Sequence, residues 1–173
     1  CACGEAPPSA RCPERRAAER WCSPVTTSAS YATVPMRVNP SVPPCSVIPV
    51  LVYPDAGAPP DWLSKAFGFT VRLRIANHRV QMQAGDGCLT IAEGHAAPND
   101  SHIVQVRIEG GDRHCERDRQ NGAVILTEPE THPYGERQYN ARDFCGHRWD
   151  FTETVADVAP EEWSDGVFHL EGD

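Results

Sequence analysis

A chain of 173 residues with 40% hydrophobic content has room for one domain with a sizeable core and a short appendage. Its net charge of −8 is uneven: residues 1–46 hold three acids against five arginines, and the rest holds 21 acids against 11 bases. So acidic a body argues against a nucleic-acid backbone as partner, and no apolar run approaches the roughly 18 residues that cross a bilayer.

Residues 1–46 carry prolines at 7, 8, 13, 24, 35, 40, 43 and 44 and show no sustained apolar periodicity. Proline interrupts both helix and ladder hydrogen bonding, so this stretch is expected to be an irregular extension with at most one short helix from Pro13 to Trp21. Five of the eight cysteines fall here, at 1, 3, 12, 22 and 45. Their spacing fits no zinc pattern, and three readings compete: a soft-metal site, the first residue of a mature lipoprotein at Cys1, or an incidental start of the sequence, which is preferred. Cys88, Cys115 and Cys145 have no Cys-x-x-Cys spacing and read as small buried groups in a reducing, cytoplasmic protein.

From Val47 the pattern becomes regular. Val47–Tyr53 is an apolar strand, with Pro49 marking an edge or a bulge near its start. Trp62, Leu63, Ala66 and Phe67 form one stripe of a helix over Asp61–Phe67, which Gly68 ends. Strands follow at Phe69–Ala76, Arg79–Ala84 and Gly87–Glu93, joined by ordinary turn residues. A linker at His95–Asp100 leads to a second round. His102–Ile108 alternates as a half-buried strand, Asp112–Asn121 is a helix closed by Gly122, and strands at Ala123–Leu126, Arg137–Ala141 and His147–Glu153 complete it. A helical turn over 157–163 and a frayed tail at 164–173 end the chain. The order β-α-β-β-β therefore occurs twice, over residues 47–94 and 101–154.

The closing stretch, Asp143-Phe144-Cys145-Gly146-His147-Arg148-Trp149-Asp150-Phe151, resembles the D-P-x-G-H-x-x-E-hydrophobic ending of the vicinal-oxygen-chelate superfamily of glyoxalases, bleomycin-resistance proteins and extradiol dioxygenases. The resemblance covers roughly residues 47–163. It implies an α+β fold of two paired βαβββ modules curling into a half-barrel cleft, commonly as a homodimer. The family's metal-dependent members place ligands on the first and last strands of each module. Counting from Asp55 and Glu109 makes Ile48 the counterpart of His102; counting from Gly87 and Gly146 makes Ile91 the counterpart of Asp150. One module then offers a His and a carboxylate, the other two isoleucines. The expected site is a cleft wall of His102, Asp150, Ile48 and Ile91. Tyr134, Glu136 and Tyr139 join it through the resemblance of Pro133-Tyr134-Gly135-Glu136-Arg137-Gln138-Tyr139 to a family segment that lines the cleft. His147 is read as part of the turn, Trp149 as facing the helices, and His78, His95, His114, His132 and His169 as surface.

The function expected from this resemblance is a glyoxalase/bleomycin-resistance-type protein that binds a small aromatic or cationic molecule in an acidic cleft, without a cofactor. The alternative is a divalent-metal-dependent lyase, isomerase or dioxygenase whose ligands are His102, Asp150 and Glu93.

Overall fold

The computed structural model describes residues 39–95 and 101–163. The helix expected at 13–21, the cysteines at 1, 3, 12 and 22, most of the linker and the tail from 164 lie outside the described residues. The described residues fall within one compact unit.

In chain order the elements are β1 (Val50–Tyr53), α1 (Pro59–Ala66), β2 (Thr70–Ile75), β3 (Arg79–Ala84), β4 (Gly87–Glu93), β5 (Ile103–Arg107), α2 (Gly111–Gln120), β6 (Val124–Thr131), β7 (Glu136–Arg142), β8 (Arg148–Thr154) and α3 (Pro160–Trp163). They build two four-stranded sheets with matching orders, β1-β4-β3-β2 and β5-β8-β7-β6. In each, the first strand runs parallel to the last and the other pairings are antiparallel. This is the expected α+β fold of two βαβββ modules. No helix among the described residues is long and apolar enough to cross a membrane.

Prolines account for the boundary differences. β1 begins at Val50 because Pro49 has no N–H to give a ladder; its carbonyl still accepts from Thr90 N at 2.9 Å. α1 starts at Pro59 rather than Asp61, since a first helical turn tolerates proline. β6 continues past Leu126 through Pro129, which sits on an edge strand inside the register shift between Thr127 and Glu130 and leaves no central ladder bond unmade.

Each sheet buries one face against the helices. In the first sheet that face carries Tyr53, Val80, Met82, Leu89 and Ile91; in the second, Tyr139, Ala141, Trp149 and Phe151. One core joins both modules: Phe67, at the end of α1, meets Trp149 and Phe151 edge-on at 5.2 and 4.9 Å, and Phe69 meets Trp149 at 5.5 Å. Each helix also closes the end of the other. Arg117 of α2 donates Nε to the Ala66 carbonyl at 2.6 Å, while Trp62 of α1 donates Nε1 to the Asn121 carbonyl at 2.9 Å. Carbonyls left over at a helix end are thereby satisfied across the module boundary.

Two buried polar clusters fix the packing. Asp143, 3% exposed, accepts Tyr53 Oη at 2.6 Å and Trp149 Nε1 at 3.3 Å on Oδ2; its Oδ1 takes the backbone N–H groups of Cys145 and His147 at 2.9 and 3.0 Å. His147 Nε2 then reaches the Val52 carbonyl at 2.9 Å, so the closing turn of the second module is tied to the first strand of the first. In the other cluster, Tyr139 Oη bonds Asp118 Oδ2 and lies 2.5 Å from His114 Nδ1. His114 is therefore buried, not on the surface as its polar neighbours in sequence suggest; its partner Tyr139 lies 25 residues away.

α2 lacks a capping side chain of its own at Gly110. Glu153 of β8 supplies one from outside, accepting the N–H groups of Gly110 and Gly111 at 2.8 and 2.7 Å. These two bonds hold the Glu153 carboxyl below its usual range.

Residues 39–46, the end of the proline-rich extension, lie on the other face of the first sheet. Gln81 Nε2 donates to the Ser41 carbonyl at 2.9 Å, Arg72 Nη2 to the Pro40 carbonyl at 2.8 Å, and Pro43 is buried.

Replacing Asp143 with Ala leaves Tyr53 Oη and two turn amides unmet. The expected loss is about 3 kcal/mol, a drop of roughly 6 to 12 °C in melting midpoint by circular dichroism. Tyr53→Phe, which removes one donor, should cost about 1 kcal/mol. For Glu153→Gln the loss at neutral pH should be about 0.5 to 1 kcal/mol, the scale of a helix cap. Because folding lowers this pKa, the advantage of Glu153 exists above the ordinary carboxylate range and disappears as pH falls through the folded value. Wild type and Glu153→Gln should thus differ in thermal melts at pH 7 and converge under acid.

Candidate ligand-binding groove

Two edge strands that belong to different sheets set the site. β1 borders the first sheet and β5 the second. Between them lies a groove of about 570 Å³, walled by Pro49–Val52 on one side, His102–Gln105 on the other, and His147 and Arg148. A second recess of about 350 Å³ continues along β5 to Arg107 and meets Ala84–Leu89 and Val47. Moving up β5, the facing residues shift from β1 back to the start of β4, so the two edges run antiparallel.

The face of the second sheet turned away from the helices extends from this groove. Alternation places Ile103, Gln105 and Arg107 of β5, Arg148, Asp150, Thr152 and Thr154 of β8, and Glu136, Gln138 and Asn140 of β7 on it. Their side chains form a connected polar floor. Gln105 Nε2 donates to Asp150 Oδ2 at 2.8 Å, and Asn140 Nδ2 approaches Asp150 Oδ1 at 3.5 Å. Glu136 accepts the hydroxyls of Thr152 and, at 2.6 Å, Thr154. Tyr134 donates to Gln138 Oε1 at 2.8 Å, stacks on His132 with ring centroids 5.1 Å apart, and meets Trp163 edge-on at 5.4 Å.

The two carboxylates on this floor are pushed in opposite directions. Hydroxyl donors hold Glu136 below its usual range. Burial raises Asp150, against the Gln105 hydrogen bond and the charges of His132 and Arg148. Arg148, which lines the groove, keeps Nε shielded from water without a hydrogen-bond partner.

Of the residues expected at the site, Asp150, Tyr134 and Glu136 share this face. His102 is exposed at the mouth of the groove, with Nδ1 2.9 Å from Ser101 Oγ. It stands one residue before β5, in phase with Val104, so the strand neighbour of Asp150 is Gln105 and not His102. Tyr139 is three residues from Glu136, hence on the opposite face of β7, and is 1% exposed among the helices. Ile91 is fully buried on the helix side of its sheet. Ile48 lines neither recess. The internal count slipped by one because Gly87 is already paired with Ala84, whereas Gly146 lies inside the longer Asp143–His147 turn and pairing starts at Arg148. Ile91 therefore corresponds in facing to the buried aromatics flanking Asp150.

Glu93 ends β4 in the other sheet and is exposed. Among the described residues no three His, Cys, Asp or Glu side chains gather as a metal-binding group. The set His102, Asp150 and Glu93 thus does not fit a divalent ion, which needs three or four converging donors.

Sequence reading missed Gln105, Arg148, Val50 and Val52. The signal was available in β5: with Val104 and Val106 against the core, Gln105 has to share the face of its β8 neighbour Asp150.

The sequence model described as the glyoxalase/bleomycin resistance protein/dioxygenase superfamily matches residues 48–151. The chain belongs to this superfamily. TioX from Micromonospora sp. ML1 is similar at 28% identity over 66% of this chain and 100% of its own, with a TM-score of 0.55. A glyoxalase/bleomycin resistance protein/dioxygenase from Nocardioides is similar at 18% identity over 66% of this chain and 87% of its own, with a TM-score of 0.51. A family enzyme from Burkholderia phytofirmans PsJN shares 12% identity over 61% of this chain and 95% of its own, with a TM-score of 0.53. These last two show the fold alone. No curated protein matches the chain.

Asp150→Asn gives a stability test of this electrostatic picture. Folding raises the Asp150 pKa, so the native state favours the protonated form; that contribution is complete at acid pH and lost as pH rises through the folded value. The variant should melt above wild type at pH 7 and level with it once the carboxyl is protonated. A variant less stable than wild type at pH 7 would contradict it.

Proposed function

We propose that this member of the superfamily is a binding protein for a small, flat aromatic molecule held in the groove between β1 and β5. The observation that carries the reading is the groove itself. Its volume of about 570 Å³ lies in the range of small-molecule sites, and it combines apolar walls with a few polar groups. Val50 and Ile103 stand 52% and 46% exposed on its two sides, apolar surface that a bound ring would cover. An aromatic ring would rest on Val50, Val52 and Ile103. Its hydrogen-bonding edge would meet Gln105 and Arg148, with Asp150 behind Gln105 fixing that amide's orientation.

This favours the aromatic over the cationic half of the sequence expectation. Arg148 and two histidines border the groove, and the burial that raises Asp150 disfavours a bare negative charge there. The reading needs no metal. It includes a homodimer, the common assembly of such paired modules.

Thermal shift and titration calorimetry on the full chain should find binders among phenolic and heteroaromatic compounds and none among tetraalkylammonium ions. Arg148→Ala and Asp150→Asn should each weaken the best binder by roughly tenfold, the worth of a charged hydrogen bond. Cations binding where aromatics fail would overturn the reading. Stoichiometric divalent metal in protein purified without chelator would replace it by the metal-dependent enzyme. Light scattering should report twice the chain mass of 19.0 kDa.

A further inference from the structure

The face of the first sheet turned away from the helices holds two thiols, one of them at the edge of the second recess, that the packing described above does not use. Cys45 and Cys88 are both free. Cys88 lies in β4 opposite Gln83, on the same face as Gln81 and Thr90. That is the face on which residues 39–46 lie, through the bonds of Ser41 to Gln81 and Pro40 to Arg72. Cys45, at the end of this strap, directs Sγ to the Asp86 carbonyl at 3.6 Å, two residues before Cys88.

We propose that Cys45 and Cys88 are a redox modification site: a hydroperoxide converts them to a disulfide that locks the strap 39–46 onto the first sheet. The Cys45 thiol lies against the turn that leads into β4, near enough to act directly on the Cys88 thiol. They also differ in access, Cys45 being half-buried and Cys88 only 8% exposed. Burial and the Cys45 contact push the Cys88 thiol up to about 11, with Arg72 acting weakly the other way. This makes Cys88 a poor first nucleophile and assigns it the resolving role.

The chemistry balances in two steps. The Cys45 thiolate attacks one oxygen of hydrogen peroxide; the S–O bond forms, the O–O bond breaks, and the departing hydroxide takes up a proton as water. The Cys88 sulfur then attacks the Cys45 sulfur; the S–S bond forms, the S–O bond breaks, and the leaving hydroxide takes the Cys88 proton as a second water. Two thiols lose two electrons and two protons, and the peroxide is reduced to water. Dithiothreitol reverses the step. Because Pro49 walls both recesses and Val47 the second, a few residues after Cys45, the oxidised form also restrains that side of the groove. The proposal is independent of what the groove binds.

The test uses the full chain, reduced, desalted and treated with a small excess of hydrogen peroxide, then alkylated and digested with trypsin. Mass spectrometry should show peptide 38–65 joined to peptide 80–107 with the loss of two hydrogens. Cys45→Ser and Cys88→Ser should each abolish the linked pair without altering the circular dichroism spectrum, and dithiothreitol should restore both thiols in wild type. Cys88 still fully alkylated after oxidation, or Cys45 joined instead to a cysteine at 1, 3, 12 or 22, overturns the assignment. Hydrogen exchange reads the lock: amides of 39–46 should slow by roughly tenfold or more on oxidation of wild type and not in Cys88→Ser. A linked pair with unchanged exchange would show that the bond forms but locks nothing.

Discussion

The Asp143 carboxylate is the joint on which the two modules depend. A buried carboxylate is tolerated only when its lone pairs are met, and here four donors from three parts of the chain meet them. Tyr53 comes from the first module, Trp149 from the second, and two amides from the turn between β7 and β8. Burial and the neighbouring carboxylate push the Tyr53 phenol far above its ordinary range, so it stays a donor at any pH the protein meets. The bond orients β1 against the second module without adding it to the second sheet. That separation leaves a groove where a continuous eight-stranded sheet could have closed.

What the groove can do follows from where charge is allowed on its floor. Asp150 and Glu136 lie on the same face with the Gln138–Thr152 pair between them, and their surroundings differ: one is shielded and bonded to an amide, the other receives two hydroxyls. A face of this kind offers directional hydrogen bonding rather than strong charge. Among the described residues, no cluster of metal-binding donors gathers around one point on it.

The fold was legible and the site only in part, for one reason. Period-two alternation, proline and glycine positions and the Asp143–Phe151 stretch specify strands and turns locally, and those are local facts. Which face a residue takes depends on the phase of each strand. Phase was lost where Gly87 and Gly146 were equated although one is paired and the other sits in a turn. That slip paired Ile91 with Asp150; Tyr139 came in with Glu136 through the family segment, although three positions along a strand put it on the other face. His114 was beyond reach for another reason: nothing in the polar run from Asp112 to Gln120 points to a buried phenol and carboxylate. Gln105 could have been found by phasing β5 on its two valines.

The exchange of helix ends between modules bears on how this repeat can come apart. Arg117 closes the first helix and Trp62 closes the second, so neither module carries the full set of groups its own helix needs. A single βαβββ unit cut from this chain would expose Phe67 or Trp149 together with unmet helix carbonyls. Duplication has become interdependence: the halves share a topology but complete each other's helix ends, and they should melt as one cooperative body rather than as two beads on a string.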